Sequence, residues 1–111
     1  MRVCGAMRLY AHQDIVEIFQ IEIEKFGIER ICLTPVWVEG MEPAVWAMSD
    51  ARNLDQPIVE LESPKMSIWV PERWLSELSE KVIVRGRRGF TIGAMTDSLR
   101  NQVTTFVQKS N

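Results

Sequence analysis

The spacing of apolar residues changes once along this chain, at Gly27, and that change limits the fold more than any other feature. Over residues 9–26, apolar side chains recur every three or four positions, while acidic residues and one lysine occupy the opposite face. Gly27 then supplies the left-handed residue that commonly ends a helix. The sequence therefore predicts one amphipathic helix over residues 9–26, preceded by a short arm at residues 1–8.

After Gly27 the chain consists of short segments rich in Val, Ile, Trp, Phe and Thr, separated by Gly, Pro, Asn and Asp. This pattern is typical of a mostly antiparallel β domain, and the Gly-Arg-Arg-Gly stretch at residues 86–89 suits a tight hairpin. We predict an α+β, mainly β fold, with the helix packed on a small antiparallel β-barrel or sandwich in a single domain over residues 9–111. Its β part, residues 28–108, has about seven strands, near residues 28–38, 44–49, 58–62, 66–70, 81–85, 90–95 and 102–108.

Alternation along three of these strands predicts which side chains face the core. The expected inward residues are Met66, Ile68 and Val70, then Val82 and Val84, then Phe90, Ile92 and Ala94. Trp69 then points outward, where either the helix covers it or it marks an interface. Pro71 suits the first position of a one- or two-turn helix that carries Trp74 on an exposed crossover.

Charge balance and cysteine usage exclude several classes of protein. The 111 residues include 13 Lys and Arg and 15 Asp and Glu, so the formal net charge is -2. Nonspecific nucleic-acid binding usually relies on clustered cations in excess. No apolar run reaches the roughly 18 to 20 residues of a membrane span, and we expect no export signal. Cys4 and Cys32 are unclustered, so we expect two reduced thiols in a cytosol-like compartment.

Residue types that support catalysis occur in this chain, but not in catalytic patterns. His12 lacks partners at metal-ligand spacing, and Glu60 and Glu62 most simply serve to solvate an edge strand. Gly86 and Gly89 flank arginines and lack the Lys-Ser/Thr ending of a phosphate-binding loop. We therefore expect no enzymatic activity, no cofactor and no metal.

Three arginines, Arg85, Arg87 and Arg88, gather at one hairpin tip and form the densest charge cluster in the sequence. Such a patch can hold an acidic surface of another protein subunit or a nucleic-acid phosphate, or it is simply a solvated turn. Four Trp residues in so short a chain are a second indication of binding. These features favour binding over catalysis and leave the partner open.

Several segments share a pattern with one family of proteins. Residues 62–70, Glu-Ser-Pro-Lys-Met-Ser-Ile-Trp-Val, place Ser-Pro before an alternating strand. Residues 82–86, Val-Ile-Val-Arg-Gly, and 90–92, Phe-Thr-Ile, give a strand, a Gly-containing turn and a second strand, and residues 104–107 give a closing strand. Together with the N-terminal helix, this order resembles the lambda-type head–tail joining (head-completion) proteins of tailed bacteriophages and prophages. The chain departs from the family pattern at Ser79-Glu80, where the family often has Gly-Asp.

The resemblance implies a β-barrel or sandwich with a packed helix and no enzymatic activity. It also implies assembly in the host cytoplasm into a ring at the virion neck, which seals the packaged head and docks the tail. The implied partners are the portal or adaptor ring, the tail terminator or tail tube and further copies of the chain, with DNA only in the ring lumen and no membrane. The candidate partner-binding residues are Met41, Trp46, Leu54, Trp69, Trp74, Arg85, Arg87 and Arg88.

A ring subunit of this kind should keep unpaired strand edges and adaptable loops, here residues 39–43 and 50–57. Two alternatives to head–tail joining stay open. One is a small β-barrel nucleic-acid binder in which the arginine hairpin grips phosphate and Trp69 or Trp74 stacks on bases. The other is a tail-terminator-like or tail-tube-like assembly protein.

Overall fold

A computed structural model of the chain describes residues 7–28, 31–36, 39–40, 44–48, 57–87 and 89–108. Within these residues the strands are β1 (Arg8–His12), β2 (Ile31–Val36), β3 (Ala44–Met48), β4 (Ile58–Glu62), β5 (Ser67–Pro71), β6 (Lys81–Gly86), β7 (Gly89–Ala94) and β8 (Val103–Gln108). The helices are α1 (Gln13–Phe26) and α2 (Leu75–Leu78), with short 3-10 turns at Glu72–Trp74 and Arg100–Gln102. The predicted α+β, mainly β class is confirmed.

The strands form a closed barrel in the order β1-β6-β7-β3-β2-β5-β4-β8. Neighbours are antiparallel except for β1 with β6 and β2 with β5, which are parallel. Each described strand has a hydrogen-bonded neighbour on both sides, so the expected unpaired edge strand is not found among them. From the strand directions, β1 and β6 end at one mouth of the barrel and β5 ends at the other. We call these mouths the α1 end and the α2 end, after the helices that follow β1 and β5.

The first strand, β1, corrects the prediction of a helix over residues 9–26. Residues 8–12 pair with β8 over their whole length and with β6, and α1 begins only at Gln13. Leu9 and Ala11 are fully buried, because their spacing of two places both on the inner face of a strand. This strand raises the number from the expected seven to eight. The predicted end of the helix is confirmed, since Gly27 adopts a left-handed φ of 64° directly after Phe26.

Helices close both mouths of the barrel. At the α1 end, Ile15, Val16 and Phe19 are fully buried in one cluster with the inward-facing strand residues. At the α2 end, Leu78 is fully buried and Trp74 packs against the same cluster. Each such aliphatic or aromatic side chain contributes about 1.5–3 kcal/mol when fully buried. The strand residues of the core are Leu9, Ala11, Ile31, Leu33, Val45, Leu61, Ile68, Val70, Ile83 and Phe106.

Strand β6 differs in part from the prediction. Val82 is fully buried, as expected, but Ile83 rather than Val84 joins the cluster of inward-facing residues, and Val84 is half-buried. Apolar residues at three successive positions give no alternation, so the sequence could not select the face; the pairing of Ile83 with Ala11 of β1 selects it. Ala94 of β7, also predicted to face inward, is exposed.

Candidate functional site

The α1 end of the barrel carries an open depression of about 400 Å³ between α1 and the β6–β7 hairpin. Its described lining residues are Ile18, Arg85, Gly86, Gly89 and Phe90, and we call it the hairpin depression. Ile18 and Phe90 give it an apolar floor, and the two glycines contribute only backbone. The Arg85 side chain makes one rim cationic.

The register of the hairpin places these residues together. Arg85 pairs with Phe90 and Gly86 pairs with Gly89 across β6 and β7. Gly89 has a φ of 125°, which other residues rarely adopt, so the turn requires glycine at this position. Apart from its neighbours in the chain, no described residue has an atom within 4 Å of the place where a Cβ at Gly89 would project. From the helix, Phe19 packs against the ring of Phe90 and fixes the floor.

The two elements that form the depression carry exposed residues of opposite charge. Arg85 and Arg87 are exposed on the hairpin, and Arg88 lies outside the described residues. On the helix side, Glu17 is exposed and Ile21 is 61% exposed, one turn beyond Ile18. The sequence indicated the arginines but not the exposed isoleucine, because Ile21 is one of several isoleucines in a helix with an apolar face.

The tryptophans predicted to bind partners lie elsewhere. Trp74 is at the α2 end, half-buried against the core rather than on an exposed crossover, and the Arg73 guanidinium stacks 4.8 Å from its ring centroid. Trp69 is half-buried on the outer face of β5, between Cys32 of β2 and Glu60 of β4. Trp69 is not among the residues that pack against the core cluster to which α1 belongs, and the expectation that the helix covers it stays a prediction.

The remaining candidate residues fall largely outside the described structure. Met41 and Leu54 lie outside the described residues. The backbone of Trp46 belongs to β3 and pairs with β2, and its side chain lies outside the described part of the chain. Among the predicted partner-binding residues whose side chains are described, the structure brings together Arg85 and Arg87 on one hairpin.

Two side chains with catalytic potential, Cys32 and His12, make local structural contacts. Burial raises the pKa of the Cys32 thiol, an effect that a hydrogen bond with Thr34 partly opposes, so the thiol stays protonated near neutral pH. His12 caps α1: its Nδ1 accepts from the Asp14 amide at 3.2 Å, and its Nε2 lies 3.1 Å from Oε1 of Gln102. Within the described ranges, no three His, Cys, Asp or Glu residues are placed to hold a metal ion. No helix in the described part of the chain is long and apolar enough to cross a lipid bilayer.

A polar cluster at the α2 end has no signal in the sequence. The Tyr10 hydroxyl donates to Glu80 Oε2 at 3.0 Å, and Arg8 Nε lies 3.3 Å from Glu80 Oε1. Desolvation and the hydrogen bond to Glu80 raise the pKa of Tyr10. Glu80 has a φ of 62°, unusual for a residue with a side chain, and its amide donates to the Arg8 carbonyl at 2.7 Å. The cluster ties the start of β1 to the turn before β6.

No protein-family model, curated protein or solved structure matches this chain. The candidate site is therefore defined by its own geometry. It combines an apolar floor of Ile18 and Phe90 with Arg85 at the rim, and the exposed residues Arg87 and Ile21 lie on the same hairpin and the same helix.

Proposed function

We propose that this chain is a structural protein of a bacteriophage neck, which joins the packaged head to the tail as a ring and seals the head. The single observation that carries the proposal is the hairpin depression, an open apolar hollow beside Arg85 and Arg87 at one end of a closed barrel. The resemblance of residues 62–70 and 82–92 to head–tail joining proteins supports it, because that family implies a barrel with a packed helix.

The closed barrel limits the ways in which such a subunit could bind its neighbours. A strand that already has two partners cannot accept another strand at its edge, so docking must use side chains at the ends of the barrel and on its outer face. An aliphatic or aromatic side chain of the partner, seated on Ile18 and Phe90, contributes about 1.5–3 kcal/mol through burial. Hydrogen bonds from the Arg85 guanidinium to a partner carboxylate contribute about 1.5–3 kcal/mol more.

The partner that would gain both contributions presents an apolar side chain beside acidic residues. We place this partner on the adjoining ring of the neck. Joining of this kind requires only complementary surfaces, and the chain acts without catalysis. Arg85 and Arg87 set the orientation of the partner because guanidinium groups bind carboxylates in a fixed planar geometry.

The experiment replaces the two described hairpin arginines, Arg85→Ser with Arg87→Ser, in a phage that depends on this chain. We expect filled heads that lack tails. Infectivity should fall to the level of a phage that lacks this chain. The matched control, Arg73→Ser with Lys81→Ser, removes two exposed cations from the α2 end and should preserve infectivity. Thermal unfolding of both purified variants checks that each keeps the fold.

Normal infectivity of the Arg85→Ser, Arg87→Ser variant would contradict the docking role of the hairpin. Binding of an oligonucleotide to the purified chain, with an affinity that falls steeply as salt is added, would instead favour the nucleic-acid alternative. The net charge of -2 argues against that outcome.

A further inference from the structure

The surface around the hairpin depression carries both a hollow and a protruding apolar side chain. Ile18 lines the hollow, and Ile21, one helical turn further along α1, is 61% exposed. Glu17 and Glu24 lie four residues before and three residues after Ile21, so they share its face of the helix, and both are exposed. An apolar side chain between two carboxylates therefore lies next to an apolar hollow with an arginine rim.

The charges of the two elements are complementary. Helix α1 carries Asp14, Glu17, Glu22 and Glu24 against the single cation Lys25. Residues 85–89, at the tip of the β6–β7 hairpin, carry three arginines and no acidic residue. A partner that fits this surface must present an apolar group flanked by acids to the hollow and a cationic patch to the helix.

The chain itself has both features, on one surface. We propose that two copies of this chain bind each other across a two-fold axis, with Ile21 of each copy seated in the hairpin depression of the other. In this arrangement Glu17 of one copy faces Arg85 of the other, and the contact occurs twice by symmetry. A two-fold contact follows because the hollow and the protruding side chain are neighbours on the same face, whereas a ring contact needs them on opposite faces.

The inference rests on the proposed function in one respect: it states that the docking surface is covered by a second copy of the chain before assembly. A two-fold pair covers the hairpin depression in both copies, so the pair must separate before a neck ring can occupy it. The contact thereby keeps the docking surface closed in the free protein and makes docking depend on competition between the two partners.

The test is sedimentation velocity of the purified chain across a wide range of concentrations. We expect a monomer–dimer equilibrium that weakens as salt is added. Ile21→Ser should raise the dimer dissociation constant by about a hundredfold or more, because the symmetric contact loses two buried isoleucines. Phe26→Ser is the matched control: Phe26 is 62% exposed on the same helix but lies outside the hairpin depression, and its replacement should leave the dissociation constant unchanged.

A charge exchange tests the pairing of specific side chains. Glu17→Lys and Arg85→Glu should each weaken the dimer, and the two substitutions combined in one chain should restore it, because both symmetric contacts are then re-formed with reversed charge. A chain that stays monomeric at every concentration would overturn the inference, as would equal effects of Ile21→Ser and Phe26→Ser. Oligomers larger than a dimer that depend on Ile21 would overturn the two-fold arrangement. None of these results touches the neck proposal, which is decided in assembled particles with the Arg85→Ser, Arg87→Ser variant.

Discussion

The rings of Phe19 and Phe90 meet edge to face, with their centroids 5.4 Å apart and their planes at 85°. Phe19 is fully buried in α1, and Phe90 forms the floor of the hairpin depression on β7. Edge-to-face pairs of this geometry contribute about 0.5–1.5 kcal/mol beyond the burial of their surface. The same contact that closes the α1 end of the barrel therefore also shapes the candidate docking surface.

We predict that Phe19→Ala lowers the free energy of unfolding by about 3–5 kcal/mol, because it leaves a cavity under the hairpin depression. Phe19→Leu should cost less, since it keeps most of the apolar volume and loses mainly the ring contact. Urea denaturation measures both, with Phe26→Leu as a control at an exposed position of the same helix. A loss below about 1 kcal/mol for Phe19→Ala would show that α1 does not anchor the barrel end.

The β4–β5 turn depends on the hydroxyl of Ser63. It donates to the Met66 carbonyl at 2.7 Å and accepts from the amides of Lys65 at 3.3 Å and Met66 at 3.1 Å. We predict that Ser63→Ala lowers the free energy of unfolding by about 1–2 kcal/mol, because one deletion leaves three backbone groups without this partner. Ser76→Ala, at an exposed serine that bonds only the Glu77 side chain, should change it by less than about 0.5 kcal/mol in the same denaturation assay.

The left-handed backbone of Glu80 predicts an unusual order of stability among variants. Glu80→Ala removes the contacts to Arg8 and Tyr10 and keeps the unfavourable φ of 62°. Glu80→Gly removes the same contacts but adopts that φ without steric cost, so it should be more stable than Glu80→Ala by about 1 kcal/mol. Thermal or urea unfolding of the two variants decides this, and an alanine variant as stable as the glycine variant would show that the backbone at residue 80 is not strained.

Alkaline pH should destabilise the fold in part through Cys32. Burial raises the pKa of this thiol in the folded state, so the folded protein holds the proton more tightly than the unfolded chain does. The resulting stability is fully present below the unfolded-state pKa of about 8.5 and is lost as the pH rises through the higher folded-state pKa. Cys32→Ala should therefore reduce the fall in the free energy of unfolding above pH 8.5, measured by urea denaturation at a series of pH values. An unchanged slope would contradict this account of the buried thiol.

The sequence was sufficient for features that depend on local patterns. The helix end at Gly27, the short helical turns after Pro71 and the inward positions of β5 follow from periodicity and from turn residues. Strand β1 was missed because Leu9 and Ala11 fit the end of a helical pattern as well as a strand, and only pairing with β6 and β8 separates the two.

The candidate site was only half predictable for a similar reason. The arginine cluster is contiguous in sequence, and so it was visible. Ile18 and Phe90 are 72 positions apart, and the cluster of Arg8 with Glu80 also spans most of the chain, so no local pattern could join them. The position of Trp74 at the opposite end of the barrel from the arginines likewise depends on strand direction, which pairing determines.

The most direct test of the central claim is electron microscopy of particles assembled without this chain. A neck protein that joins heads to tails predicts DNA-filled heads and separate tails, with joining restored when the purified wild-type chain is added to the extract. The Arg85→Ser, Arg87→Ser variant should fail to restore joining, while the Arg73→Ser, Lys81→Ser variant should succeed. Complete, tailed particles in the absence of the chain would contradict the account.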